Sequence, residues 1–290
     1  MENPGIPRNT IAILRKHQFH IRKKLGQNFL TDPCVLAKIL HAARISEEDC
    51  VLEIGPGIGT LTRALAEAAG KVVAVEIDKE LIPILEETLA DCQNVTVLNH
   101  DVLKLDLREL TGRIRGGGSL KVVANLPYYI TTPILMKLLE SKLALESITV
   151  MVQEEVAKRL QSGPGTKDYG SLSLAAQYYA EVRTVAKVPP DCFHPRPGVG
   201  SAVVQLAPYP EPSVKVREER FLFALIRASF QQRRKTLVNG LSNAAALGIT
   251  KETAARALAE TGLPPAIRGE ALTLEQFAAL AEYFLYTSST

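Results

Sequence analysis

The segment Glu53-Ile54-Gly55-Pro56-Gly57-Ile58-Gly59-Thr60 joins an apolar run to an amphipathic one, with glycine at every second position from Gly55 to Gly59. Glycine lets a ligand approach backbone that a Cβ would block. A strand, a glycine-rich turn and a helix start form the nucleotide-binding opening of a doubly wound sheet. The spacing narrows the ligand: a dinucleotide fingerprint starting at Gly55 needs glycine at position 60, where Thr60 stands, so cradling of a pyrophosphate is disfavoured. Glu76, at the end of the next apolar run, is placed to accept hydrogen bonds from both hydroxyls of a ribose. Asp101 follows a third run and is placed to accept from an adenine amino group, with Ile77 and Val102 on either side of the ring. Acids in register at successive strand ends belong together, because ligands of such sheets bind at the carboxyl edge.

Glycines spaced G-x-G-x-G and preceded by an acid resemble the first motif of S-adenosylmethionine-dependent methyltransferases. Asn125-Leu126-Pro127-Tyr128 resembles the [DNS]-[IP]-P-[FYW] signature of those that act on planar amines. The residue types suit that chemistry. The exocyclic nitrogen of adenine is a poor nucleophile, since its lone pair is delocalised into the ring. The Asn125 side-chain oxygen and the Leu126 carbonyl, accepting its two N–H groups, would hold the nitrogen in line with the methyl and favour its pyramidal form. Pro127 stiffens the turn without adding a donor. Tyr128 offers a ring for an unstacked base, a contact worth roughly 1 to 3 kcal/mol. No general base is needed, because the methylated aminium proton is acidic enough to leave to solvent. This signature alone leaves adenine in DNA, adenine in RNA and glutamine in protein open as acceptors.

The elements around these residues alternate as strands and helices from Cys50 onward, the rhythm of a parallel sheet with helices on both faces. Strands are expected at 50–54, 71–76, 95–98, 120–124 and 147–152, with two more at 181–187 and 201–206 forming an antiparallel hairpin that closes the sheet. Helices are expected at 60–69, at 79–90 with an early break at Pro83, at 153–160 and at 171–180, with a mobile glycine-rich loop, SGPGTKDYG, before the last. After the proline-rich APYPEPSV the pattern is helical only, at 217–238, 251–260 and 273–285. The fold expected is α/β, a Rossmann-like class I methyltransferase sheet over 1–210 with a small all-helical domain over 211–290.

A chain of 290 residues, 46% hydrophobic and 22% charged, excludes disorder and fibrous repeats. Its formal charge of only +3 conceals an uneven distribution. Residues 1–28 hold six bases against one acid and residues 220–237 hold five against none, leaving 23 bases and 30 acids elsewhere. Basic runs without interleaved acid invite a phosphate partner. Arg22, Lys23 and Lys24 in the first run, and Arg233, Arg234 and Lys235 in the second, are the candidate phosphate contacts, to RNA where the acceptor is RNA. Cys34, Cys50, Cys92 and Cys192 form no C-x-x-C or Cys/His cluster, so neither a metal site nor a disulfide framework is expected. No apolar stretch approaches 18 residues and the N-terminus lacks a signal-peptide run, so a cytoplasmic protein without membrane contact is expected.

Reading outward, Lys24-Leu25-Gly26-Gln27-Asn28-Phe29-Leu30, Phe193-His194-Pro195-Arg196-Pro197 to Ser201, Gln232-Arg233-Arg234-Lys235-Thr236-Leu237 and Arg268-Gly269-Glu270 join the motifs above. Together they resemble the ribosomal RNA adenine N6,N6-dimethyltransferase family along nearly the whole chain. The resemblance implies S-adenosylmethionine as cofactor. It also implies two methyl transfers to each of two adjacent adenosines in the hairpin loop near the 3′ end of small-subunit (16S) rRNA, within immature 30S subunits, by a monomer. It implies that Asn28 and Leu30 line the cofactor pocket with Gly55, Glu76, Asp101 and Asn125, and that Phe193 clamps the flipped base opposite Tyr128. A large-subunit rRNA methyltransferase of the macrolide-resistance type is the enzymatic alternative, disfavoured by the 268–277 segment. A ribosome-assembly factor is the non-enzymatic one. Related sequences often read N-L-P-Y-N, where this chain has Tyr129. An RNA loop suits a buried methyl donor, because single-stranded loops cost least to unstack.

Overall fold

The computed structural model describes residues 7–114 and 118–287. These divide into two compact units, one of residues up to 157 together with 182–208, the other of 158–181 together with 209 onward.

The first unit is built on a seven-stranded sheet. Its strands are β2 (Cys50–Ile54), β3 (Lys71–Glu76), β4 (Val95–Asn99), β5 (Leu120–Asn125), β6 (Leu145–Gln153), β7 (Ala180–Val188) and β9 (Ser201–Pro208), in the order β4-β3-β2-β5-β6-β9-β7. β2 to β6 pair in parallel, and β9 runs antiparallel to β6, with β7 beyond it. All five residues of β2 are buried, as a central parallel strand covered on both faces requires. A two-residue strand β1 (Phe29–Leu30) pairs antiparallel with β8 (Phe193–His194), which the periodicity does not reveal because runs so short carry no alternation. Pro83 falls in the first turn of the helix Ile82–Thr88, after a 3-10 turn over Lys79–Leu81, where its missing N–H costs nothing.

In the second unit the helices Ser171–Tyr179, Glu219–Gln231, Leu237–Ser242, Lys251–Glu260 and Leu274–Thr287 pack around an aromatic core. Tyr179 stacks on Phe223, and Phe230 packs edge-on against Tyr169. Three expectations are corrected here. The single boundary near 210 gives way to one at 208 plus the segment 158–181, which belongs to this unit because Tyr169 and Tyr178 are anchored in its core. The loop 162–170 is pinned rather than mobile: Tyr169 is fully buried with its hydroxyl donating to the Leu272 carbonyl, and Gly165 N donates to Glu270 O. The single helix expected over 217–238 breaks at Gln232–Thr236, where a run of long polar side chains offers no apolar anchor, and a new helix starts as Leu237 buries and donates its N–H to Ile267 O.

No helix among the described residues is long and apolar enough to cross a membrane.

Candidate active site

The glycine turn leaves β2 at the carboxyl edge of the sheet and opens the helix Thr60–Ala68. Gly55, Gly57 and Gly59 all take positive φ, at 72°, 62° and 88°. At Gly57 the requirement is also spatial, since a Cβ there would sit 3.1 Å from the Phe29 ring. The turn is tied to β3 through Glu76, whose Oε2 accepts from Gly57 N at 3.2 Å while Oε1 accepts from Asp78 N at 2.8 Å. Each oxygen keeps a second lone pair. A cavity bounded by this turn contains Asn28, Leu30, Gly55, Gly57, Glu76, Asp101 and Asn125 in its wall, together with Leu126, Pro127 and Tyr128. Ile77 and Val102 line it as well; Ile77 is half exposed at its mouth and Val102 is buried.

Burial dominates the electrostatics of the two glutamates. It pushes Glu76 up to about 7, against backbone N–H groups that favour the ionised form. It pushes Glu53, buried in β2, up to about 8, and the charge of Glu76 adds to the rise. Glu53 Oε2 has no hydrogen-bond partner among the described residues. A buried carboxyl oxygen without a partner among the described residues, beside a backbone cradle that no Cβ intrudes upon, fits a polar ligand such as S-adenosylmethionine, whose methionine and ribose ends carry both donors and acceptors. Glu53 was outside the expected site; its signal is an acid in an otherwise apolar run, Cys50 to Ile54.

The Glu76 position predicts a pH dependence of cofactor binding. Ribose hydroxyls bound as the resemblance implies would donate to the carboxylate, so the ionised form would bind and a proton would have to leave below pH 7. Affinity for S-adenosylhomocysteine is expected to be flat above pH 8 and to fall towards tenfold per unit below about 6.5, as calorimetry would read. In Glu76→Gln the binding should be weaker and this slope absent; a wild-type affinity level down to pH 5.5 would contradict the assignment.

Asn125 ends β5, and its Nδ2 donates to the Asn28 carbonyl at 3.1 Å. That bond sets the amide's orientation and leaves Oδ1 as the end available to a substrate amine. Asn28 is itself held by a bond from its Nδ2 to Gly26 O. The Pro127 carbonyl accepts from Ile130 N and Thr131 Oγ1, which closes the turn after the motif. The Tyr128 hydroxyl lies 2.6 Å from Ser201 Oγ. Tyr129 is half exposed at the cavity mouth, its ring edge against Gly26.

Other expected site residues sit elsewhere. Phe193 is 5% exposed, opposite Leu30 in the small β1–β8 sheet and packed in a core with Val35, Ile39 and Val203, and it is not brought to the cavity wall. The sequence around it, Asp191-Cys192-Phe193-His194-Pro195, carries no sign of this, because its strand partner Leu30 and the helix residues Val35 and Ile39 lie more than 150 positions away. The Arg22 guanidinium is engaged by Asp78 and Glu80, and Gln27 donates to the other Asp78 oxygen, so Arg22 fastens the segment before Gly26 onto the loop after β3. Lys24 is exposed, and the Lys23 side chain lies outside the described residues. Arg233, Arg234 and Lys235 are all exposed; Arg233 also donates to the Lys167 and Tyr169 carbonyls at 3.0 Å each and pairs with Glu270 at 3.3 Å.

A contrast between neighbours follows. Arg233→Ala is expected to lower stability by about 0.5–1.5 kcal/mol, because two carbonyls lose a charged donor at a site that water can reach. Arg234→Ala is expected to leave the melting temperature alone and to weaken RNA binding with a salt slope reduced by about one. Equal thermal shifts in the two variants would refute the distinction.

A parallel sheet ending in an antiparallel strand inserted before the edge, a glycine turn after its first strand and acids at the next strand ends define a Rossmann-like class I methyltransferase, whose methyl donor is S-adenosylmethionine. The chain belongs to the ribosomal RNA adenine dimethylase family, whose model matches residues 18–284. It is 58% identical over 279 residues to ribosomal RNA small subunit methyltransferase A of Lachnoclostridium phytofermentans, covering 96% of each chain. It is 52% identical to the protein of that name from Alkaliphilus metalliredigens, over 95% of this chain and 96% of the other. Among solved structures it resembles a dimethyladenosine transferase from Plasmodium falciparum (TM-score 0.70, 27% identity, 87% of this chain and 95% of that one). It also resembles the 23S rRNA methyltransferase ErmE (TM-score 0.63, 28% identity, 89% and 99%).

Proposed function

We propose that this chain dimethylates N6 of two adjacent adenosines in the hairpin loop near the 3′ end of 16S rRNA, acting as a monomer on immature 30S subunits in the cytoplasm. The observation that carries the reading is the Asn125 amide in the cavity wall, whose Nδ2 is committed to the Asn28 carbonyl so that its oxygen is left for a substrate amine. The high identity to small-subunit methyltransferases supports the choice of subunit.

S-adenosylmethionine supplies an electrophilic methyl on a sulfonium. Glu76 and Asp101 bind its adenosine end, and the Gly55–Gly57 turn, with Asn28 and Leu30, encloses the rest. Asn125 Oδ1 and the Leu126 carbonyl accept the two N6–H groups and turn the nitrogen lone pair towards the methyl. Tyr128 takes one face of the flipped base. The aminium proton passes to water, so no side chain need act as base.

The test is incubation of the protein with labelled S-adenosylmethionine and small subunits lacking the mark, followed by nucleoside mass spectrometry. N6,N6-dimethyladenosine in 16S rRNA is expected. Its absence, with cofactor binding demonstrated, would overturn the proposal. The ErmE-like fold favours a second reading, methylation of large-subunit RNA, which label entering 23S rRNA would support.

A further inference from the structure

We propose that Ser201 is a positioning residue for the second of the two methyl transfers, through its bond to the Tyr128 hydroxyl. The inference rests on the functional reading above. Ser201 is the first residue of β9 and is fully buried, with its Oγ 2.6 Å from the Tyr128 hydroxyl. Its backbone is paired with Gln153, the last residue of β6, and the preceding Gly200 carbonyl accepts from Glu154 N. Tyr128 follows β5, so the bond reaches across β6 and fastens the outer end of a ring in the cavity wall to the rigid start of an interior strand. Neither residue predicts this from sequence spacing, as they stand 73 positions apart.

The two transfers make unequal demands on that ring. Each forms one N–C bond at N6 and breaks the donor's S–C bond, whose electron pair stays on sulfur, and each sheds one N6 proton to water. Unmodified adenosine presents two N6–H groups, one for Asn125 Oδ1 and one for the Leu126 carbonyl. N6-methyladenosine presents only one, so one polar anchor is lost and the stacked ring carries more of the orientation. A ring freed from Ser201 gains torsional freedom, and a small misplacement of the nitrogen is costly when fewer contacts correct it. The tether therefore governs whether the reaction runs on to the dimethyl product.

The experiment follows mono- and dimethyladenosine over time in unmethylated small subunits with wild type, Ser201→Ala, Tyr128→Phe and the double variant, with thermal unfolding of each. In both single variants the ratio of second to first transfer rates is expected to fall about five- to tenfold, the worth of one hydrogen bond, so that monomethyladenosine accumulates. The double variant should show the same ratio as either single one. Equal slowing of both transfers, an unaltered ratio, or additive losses in the double variant would each overturn the tether. Should Ser201→Ala fail to fold, Tyr128→Phe, which removes the same bond from the cavity side, decides by its ratio alone. A wild type that makes no dimethyladenosine overturns the functional reading and the inference with it, whereas dimethylation with unaltered ratios in the variants overturns only the inference.

Discussion

Asn125→Ala is expected to slow methyl transfer about 100- to 1,000-fold, the cost of removing one preorganised acceptor from a developing charge. The side chain acts at both ends. Its Nδ2 is committed to the Asn28 carbonyl at 3.1 Å, and that commitment is what presents Oδ1 to the amine. Asn125→Asp separates the two ends: it keeps an acceptor oxygen for the substrate but sets a carboxylate against the Asn28 carbonyl, so it is expected to fall between wild type and Asn125→Ala. Binding to small subunits should survive in both, since exposed bases such as Lys24, Arg234 and Lys235 lie outside the cavity wall. Single-turnover rates with saturating S-adenosylmethionine, set beside filter binding, make the comparison. An Asn125→Ala rate within tenfold of wild type would remove the residue from the chemistry.

Lys121→Met is expected to cost about 3–5 kcal/mol of stability, although it lies outside the cavity wall. Lys121 is 4% exposed in the middle of the sheet, and its ammonium donates to Asp49 Oδ2 at 2.8 Å and Arg44 O at 2.7 Å, with Glu146 at 3.2 Å. Burial pushes the Asp49 carboxyl up, but Lys121 and the Ser46 N–H and O–H outweigh it and hold it below the ordinary value. Methionine fills the volume and leaves a buried carboxylate without its cation. In wild type the contribution of Asp49 is present above its unfolded value near 4 and is lost as the pH falls through its lower folded value. In the variant the carboxyl titrates high and is protonated in mild acid, so the deficit should be largest at neutral pH and shrink towards pH 4. Urea unfolding at pH 7.5 and pH 4.5 measures both; a deficit that does not change with pH would contradict the buried charge as its cause.

Lys121 marks where sequence reasoning ends. In LKVVA it reads as one polar residue in an apolar run, and its partners come from two other segments, Arg44 and Asp49 from the connection before β2 and Glu146 from β6. The same holds for Arg22 and Arg233, which read as phosphate contacts because charge runs are visible in sequence and their carboxylate or carbonyl partners are not. Phe193 is expected from its motif to clamp the base, and what only the structure shows is its burial at the β1–β8 pairing. The residues of the cavity were far more legible. Gly55, Glu76, Asp101 and Asn125 stand at or just after the ends of parallel strands that share one edge, so strand periodicity alone collects them.

The sequence by itself determined the strands of the sheet, the glycine turn and the acids around it, because period and spacing are local properties of a chain. The tertiary structure alone decided which charged groups are spent on the fold, which aromatic faces the cavity, and how the Asn125 and Tyr128 side chains are held. Those outcomes depend on contacts between residues 56 to 97 positions apart, as in Arg22 with Asp78, Tyr128 with Ser201 and Asn125 with Asn28, which no local pattern encodes.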